Sequence, residues 1–93
     1  MGATIRIPTP LRPLVGGERA VQASGASVRE VLDDLISVHE GIRPRIYDDS
    51  GALRRFVNIF LNDEDIRGQD GLETRVGDGD VLSIVPAIAG GVR

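Results

Sequence analysis

Few side chains in this sequence of 93 residues could carry out catalysis on their own. There is no cysteine, all eleven basic residues are arginine, and His39 is the single histidine. A thiol nucleophile, a disulfide, a cysteine-based zinc or iron–sulfur site, a lysine Schiff base and a histidine pair for a metal are therefore excluded. His39 falls near the end of a predicted helix, where a cation suits the helix dipole, and we expect it to be a surface residue.

Three further motifs suggest sites but lack the necessary partners. Asp63-Glu64-Asp65 is an acidic run, but it falls in a predicted hairpin turn and lacks the spaced ligands of a calcium loop. Gly77-Asp78-Gly79 has neither the lysine nor the following helix of a phosphate-binding loop, and no base accompanies Ser83. We therefore expect no catalytic residue, no metal site and no bound cofactor, so that the chain itself is not an enzyme.

The C-terminal segment has the composition of a tail on which another enzyme could act. After Pro86 come the uncharged residues Ala87-Ile88-Ala89, then Gly90-Gly91, and finally Val92-Arg93. Such a segment is narrow enough to thread an active-site channel, because the two glycines carry no side chain. Terminal segments are also often simply unstructured, and the spacing alone leaves both interpretations open. We expect a globular domain over 1–85 and a flexible tail over 86–93.

Composition limits the possible partners and location. The net charge is −3, with both signs interspersed, and no clustered basic face for nucleic acid is visible. No apolar stretch approaches the length of about 18 residues that a membrane span requires. The N-terminus lacks the layout of a signal peptide. We therefore expect a cytoplasmic protein of one domain that binds neither nucleic acid nor membranes.

One helix is predicted with clear signals at both ends. Ser27 and Glu30 have the spacing of a capping box, and apolar residues from Val28 to Val38 recur at helical intervals. Gly41 is predicted to be the left-handed C-terminal cap, and Pro44 to prevent continuation. The helix is therefore expected over 28–40, followed by an irregular connection over 42–55.

Alternating residues predict the strands around this helix. Two N-terminal strands, over 3–8 and 18–23, are separated by a proline-rich loop and a Gly16-Gly17 turn. A strong strand follows over 56–62, a short return strand begins at Ile66, and a last strand over 81–85 is stopped by Pro86. The order β-β-α-β-β-β fits an α+β, ubiquitin-like β-grasp fold. In this fold a mixed four- to five-stranded sheet has its first and last strands parallel in the middle and the helix across one face.

Two segments resemble the MoaD/ThiS family of sulfur-carrier proteins. Residues 55–67 are similar to the central hairpin of that family, and residues 78–91 match its closing motif, which ends in the Gly-Gly pair. The similarity covers essentially the whole chain and is greatest to the CysO-type carriers of actinobacterial cysteine biosynthesis.

The resemblance implies a chemical role for Gly91. An adenylase related to ubiquitin-activating enzymes would use ATP to adenylate its carboxyl, and a sulfur donor would displace AMP to leave a thiocarboxylate. In the CysO-type route this group attacks an activated serine derivative held by a pyridoxal-phosphate-dependent cysteine synthase, and a JAMM-type zinc peptidase frees the cysteine. Molybdopterin, thiamin or secondary-metabolite synthesis, ubiquitin-like protein modification and a plain interaction module remain alternatives.

This sequence departs from the family pattern in having Val92-Arg93 after the second glycine. The Gly91 carboxyl is then held in a peptide bond and cannot be adenylated. We expect a precursor that a JAMM-type peptidase trims between Gly91 and Val92, although a vestigial extension is the alternative.

The predicted sheet also suggests where an adenylase docks. If Val57, Ile59 and Leu61 face the helix, then Phe60 projects from the open face, near Val85 at the root of the tail. Phe60, Val85 and Pro86 are therefore predicted to bind partners, the alternative being scattered exposed hydrophobic residues.

Overall fold

In the computed structural model, which describes residues 2–86, five strands form one sheet in the order β2-β1-β5-β3-β4. The strands are β1 (Ala3–Arg6), β2 (Ala20–Ala23), β3 (Val57–Leu61), β4 (Glu64–Asp65) and β5 (Val81–Pro86). The central pair, β1 and β5, is parallel, and the other pairs are antiparallel. This is the β-grasp topology that the element order predicted.

The main helix, α1 (Val28–Val38), begins where the sequence predicted. The Ser27 hydroxyl accepts a hydrogen bond from the Glu30 amide at 3.3 Å, and the Glu30 carboxylate accepts one from the Ala26 amide at 2.8 Å. These bonds occupy two amides that a helix start would otherwise leave unpaired. The buried face of α1 consists of Val28, Val31, Leu32, Leu35 and Ile36.

The end of α1 differs from the prediction. The helix stops at Val38, whose side chain is 71% exposed rather than part of the apolar face. Gly41 is not a left-handed cap, because the backbone continues as a 3₁₀ turn over Glu40–Ile42. Pro44 then lies in the first turn of a short helix, α2 (Arg43–Ile46), where a missing amide hydrogen costs nothing.

Two segments predicted to be irregular supply part of the core. The connection after α1 buries Ile42, Ile46 and Tyr47. The proline-rich segment is a 3₁₀ helix over Thr9–Val15 that buries Leu11 and Val15. Neither segment has a run long enough to show a helical period, so the sequence pattern does not reveal them.

The hairpin between β3 and β4 turns earlier than predicted. Asn62 and Asp63 adopt positive φ angles of 50° and 73°, as a two-residue hairpin turn requires. The return strand therefore begins at Glu64, while Ile66 starts a 3₁₀ turn and is buried. A further 3₁₀ turn lies at Gly71–Glu73.

Alternation along the strands gives the sheet one buried and one open face. Val57, Ile59 and Leu61 of β3 and Leu82 and Ile84 of β5 are buried, as predicted, while the intervening side chains are half-buried or exposed. Because α1 covers only one face, β5 can present side chains to a partner on the other.

Candidate functional site: the open sheet face and the end of β5

The predicted chemical centre lies beyond the described part of the chain. Gly91 and the neighbouring tail and processing residues, Ile88, Ala89, Gly90 and Val92, all fall outside residues 2–86. What the structure does describe is the strand from which they follow, since β5 ends at Pro86. The prediction ended this strand at Val85, but Pro86 still pairs with Val57 in the register of β3.

The start of β5 is fixed by a polar network with the β3–β4 turn. The Asn62 side-chain amide donates to the Asp80 carboxylate at 3.1 Å, and its oxygen accepts from the Val81 amide at 3.0 Å. The other Asp80 oxygen accepts from the Gly77 amide at 2.8 Å. The bond from the Gly77 amide and, after it, that from the Asn62 side chain lower the pKa of Asp80. The register of β5, and hence the point where the chain leaves the sheet, is held at this end.

Phe60 and Val85 lie on the open face, as predicted. Val85 pairs with Asn58, and Phe60 pairs with Ser83, so Phe60 and Val85 are diagonal neighbours on adjacent strands. Val85 is 43% exposed and Phe60 is half-buried. Their side chains can therefore form one small apolar patch, and their role in docking a partner stays a prediction.

Pro86 does not join this patch. Successive residues of a strand point to opposite faces, so Pro86 lies on the side of its buried partner Val57. There it lines a groove together with Leu11, Pro44 and Phe56. The sequence grouped Pro86 with Val85 because they are adjacent, whereas the sheet separates them.

Arg67 flanks the open face and was not predicted as a functional or structural residue. β4 pairs only with Phe60 and Leu61, which leaves the outer edge of β3 uncovered by a strand. The Arg67 guanidinium lies along that edge, where it donates to the Val57 carbonyl at 2.9 Å and to the Asn58 side-chain oxygen. Asn58 is the cross-strand neighbour of Val85, so Arg67 also holds the polar side chain that lies next to the patch of Phe60 and Val85.

Of the remaining candidates, Asp63 and Ser83 line the same cavity on the open face, together with Asn62 and Val81. His39 ends α1, and Asp63 to Asp65 form the turn and short strand at the sheet edge. Ser83 lies on the open face opposite Phe60. Within residues 2–86, no group of three or more histidine, aspartate or glutamate residues is arranged to hold a metal ion. Over the same range, no helix has the length and apolarity that crossing a bilayer requires.

The sequence was compared with models of known protein families to identify the family of this chain. A family model described as the ThiS family matches residues 5–91. The chain belongs to the ThiS family. The ThiS match ends at Gly91, the second glycine of the closing motif, and leaves Val92 and Arg93 outside it.

Individual ThiS-family relatives and solved structures agree with this assignment. The sulfur carrier protein CysO of Mycobacterium tuberculosis is 50% identical over 93 residues, covering 98% of this chain and 100% of CysO. A chain in the crystal structure of the Amycolatopsis orientalis BexX/CysO complex matches with a TM-score of 0.88 and 50% identity, covering 96% of this chain and 99% of that one. Small archaeal modifier protein 3 of Haloferax volcanii is 35% identical over 66 residues, or 71% of each chain. The resemblance predicted from two segments is thus confirmed over nearly the whole chain.

Proposed function

We propose that this chain is a sulfur carrier of the CysO type, whose Gly91 carboxyl is converted into a thiocarboxylate that donates sulfur for cysteine biosynthesis. The observation that carries the proposal is the ThiS-family match ending on Gly91, together with 50% identity to the carrier CysO over nearly all of this chain. In this role the chain is a protein cosubstrate, and catalysis belongs to its partners.

The chemistry begins with an activation step, because a carboxylate is a poor electrophile. A partner adenylase transfers AMP from ATP to the Gly91 carboxylate and releases pyrophosphate. This activation joins a carboxylate oxygen to the α-phosphorus. A hydrosulfide-level sulfur donor then forms a C–S bond at the acyl carbon, and the bond from that carbon to the phosphorylated oxygen breaks, so that AMP leaves with one of the former carboxylate oxygens. The product is a thiocarboxylate, which is a soft nucleophile like other ionised sulfur groups.

The composition of the chain suits this chemistry. There is no cysteine, so no side-chain thiol competes for the activated acyl group. There is also no lysine, so the acyl adenylate meets no side-chain amine of its own chain or of another copy. In this proposal the sulfur is therefore bonded to the carbonyl carbon of Gly91 and to no side chain of this protein.

Activation requires Val92 and Arg93 to be removed first. While they are attached, the Gly91 carbonyl belongs to a peptide bond and offers no carboxylate to ATP. A JAMM-type zinc peptidase that cuts between Gly91 and Val92 would release the carboxylate. The end of the ThiS-family match at Gly91 supports this cleavage position.

Three classes of partner follow from the proposal: an adenylase related to ubiquitin-activating enzymes, a JAMM-type peptidase and a sulfur-accepting enzyme. For the last, we favour a pyridoxal-phosphate-dependent cysteine synthase over the enzymes of molybdopterin, thiamin or secondary-metabolite synthesis. The similarity to a chain of the BexX/CysO complex supports recognition by a protein partner. We propose that the adenylase docks on Phe60 and Val85, because exposed aromatic and aliphatic side chains that lie together are typical of protein contact sites.

The test is a mass measurement on the chain ending at Gly91 after incubation with its adenylase, ATP and a sulfide donor. A sulfur carrier gains the mass of one oxygen-to-sulfur exchange, and the same exchange is absent without ATP. A Gly91→Ala variant, which keeps the carboxylate but adds a methyl group in the narrow part of the tail, is the matched control. Failure of the chain to form AMP or to exchange oxygen for sulfur would contradict the proposal.

Protein modification is a second candidate, favoured by the similarity to small archaeal modifier protein 3. A modifier would use the same acyl adenylate to acylate lysines of other proteins. Because the chain has no lysine, it could not form lysine-linked chains of itself. Conjugates that survive hydroxylamine and thiols, isolated from the native cell, would indicate modification, whereas a thiocarboxylate indicates sulfur transfer.

A further inference from the structure

A second surface near the end of β5 is distinct from the patch of Phe60 and Val85. It is a groove of about 610 Å³ on the side of the sheet towards which Val57 and Pro86 point. Its walls are mostly apolar and include Leu11, Pro44 and Phe56, and the Phe56 side chain is 50% exposed.

Arginines border this groove. Arg45 and Arg54 line it, and the Arg55 guanidinium lies 5.6 Å from the centre of the Phe56 ring. Arg54 donates a hydrogen bond to the Pro44 carbonyl, which holds its guanidinium beside α2. A sequence with dispersed charges and a net charge of −3 thus acquires a local cationic rim on folding.

These guanidinium groups have no carboxylate partner in the described structure. The one ion pair within residues 2–86 joins Arg29 to Glu73, neither of which lines the groove. Asp48 lines a smaller pocket with Arg54 and Arg55, but its pKa is lowered chiefly by hydrogen bonds from Ser50 and Ala52, and it is not within ion-pair distance of either arginine. The cationic rim is therefore available to an acidic partner.

The position of the groove suggests which partner that is. Gly91 follows Pro86 by five residues, and an extended chain spans at most about 3.3–3.6 Å per residue. An enzyme that holds Gly91 in its active site therefore comes within about 16–18 Å of Pro86, which is itself part of the groove wall. Once Val92 and Arg93 have been removed, adenylation is the first step at the freed Gly91 carboxylate, so we take the adenylase as the enzyme that meets this surface.

We propose that the groove docks an acidic segment of the adenylase, with carboxylates paired to Arg45 and Arg54 and one apolar side chain packed against Phe56. The inference rests on the proposed function, because it takes adenylation of Gly91 as given. Guanidinium–carboxylate pairs can be bidentate, and a cationic rim also speeds the encounter with an acidic surface.

The experiment compares steady-state adenylation of the chain ending at Gly91 by the purified adenylase of the same organism. The groove variant is Arg45→Glu/Arg54→Glu, and the charge-matched control is Arg19→Glu/Arg75→Glu, which changes two exposed arginines away from the groove. We expect the groove variant to raise KM for the carrier about tenfold or more while kcat is unchanged, and the control to change KM less than about twofold. Added salt should raise KM of the parent chain and have little effect on the groove variant.

Further measurements keep the outcomes separate. Because Arg54 also bonds to the Pro44 carbonyl, its replacement could disturb the fold, so Arg45→Glu alone and Phe56→Ser are measured in parallel. Thermal unfolding verifies that each variant is folded. Each of them should also raise KM for the carrier. If the parent chain is not adenylated at all, the proposed function fails and this inference fails with it. If adenylation proceeds and the groove and control variants have equal KM, only the docking inference is overturned. It is also overturned if KM is unchanged and sedimentation shows that the groove variants dissociate a dimer, because a second copy then fills the groove.

Discussion

Arg67 provides the most demanding test of the structural reasoning, because an exposed side chain is predicted to matter for stability. β4 covers only two residues of β3, and the guanidinium completes the edge by bonding to the Val57 carbonyl and the Asn58 side chain. A third, longer contact of 3.4 Å reaches the Arg54 carbonyl. Replacement by methionine keeps the aliphatic stem and removes all three contacts.

The expected cost follows from these contacts. The half-buried Val57 carbonyl loses its charged donor, and an unpaired group of this kind costs about 1–3 kcal/mol. The bond to Asn58 lies in solvent and adds little. We therefore expect Arg67→Met to lower the free energy of unfolding by about 2 kcal/mol. In a domain of this size each kcal/mol corresponds to a fall of about 4–8 °C in the melting temperature.

The assay is urea unfolding of the parent chain and of three variants. Arg67→Lys keeps the charge but cannot reach several acceptors at once, so it should recover only part of the loss. Arg75→Met removes an equally charged, exposed arginine and should change stability by less than about 0.5 kcal/mol. Equal stability of Arg67→Met and Arg75→Met would refute the assignment of Arg67 to the strand edge.

Three further predictions concern docking and pH. Phe60→Ala should raise the adenylase KM for the carrier several-fold, as measured by AMP release. Val38→Ala truncates a more exposed side chain away from β5 and should leave KM unchanged. Equal effects of the two substitutions on KM would show that Phe60 and Val85 do not contact the adenylase. The pKa of Asp80 is lowered on folding, so its contribution to stability is present above about pH 4 and is lost as the pH falls through the folded value. Acid titration followed by circular dichroism should therefore give a flatter curve for Asp80→Asn, and parallel curves would contradict the role of the network. Burial raises the pKa of Tyr47, so above about pH 10 the unfolded chain loses the phenolic proton first and stability falls. Since there is one tyrosine and no lysine or cysteine, Tyr47→Phe should remove most of the decline in urea stability between about pH 9 and 11, and a decline that persists would count against this origin.

Sequence patterns predicted best the features that depend on neighbouring residues. The capping box at Ser27 and Glu30 set the start of α1, because its bonds join residues three or four apart. Alternation in β3 indicated the two faces of the sheet. The closing motif around Gly90-Gly91 indicated the family, since it lies in a short continuous stretch that the ThiS match includes.

Local patterns failed where packing holds the backbone. Gly41 and Pro44 are typical of a helix end, yet Glu40–Ile42 and Arg43–Ile46 continue as short helical turns. Burial of Ile42, Ile46 and Tyr47 against the rest of the core stabilises those turns. Such contacts join distant parts of the chain, so no local period reports them.

The sequence alone determined which side-chain chemistries this protein lacks, because it contains no cysteine and no lysine, and its closing motif around Gly90-Gly91 indicated the family. Only the tertiary structure decided which surfaces lie next to the end of β5. Strand alternation set Pro86 apart from Val85, and the hydrogen bond from Arg54 to the Pro44 carbonyl brought two arginine-bearing segments to one groove. Arginines that are separated in the sequence form a local cationic surface only when the fold brings their segments together. The contacts that do so join residues far apart in the chain, so no local sequence pattern reports them.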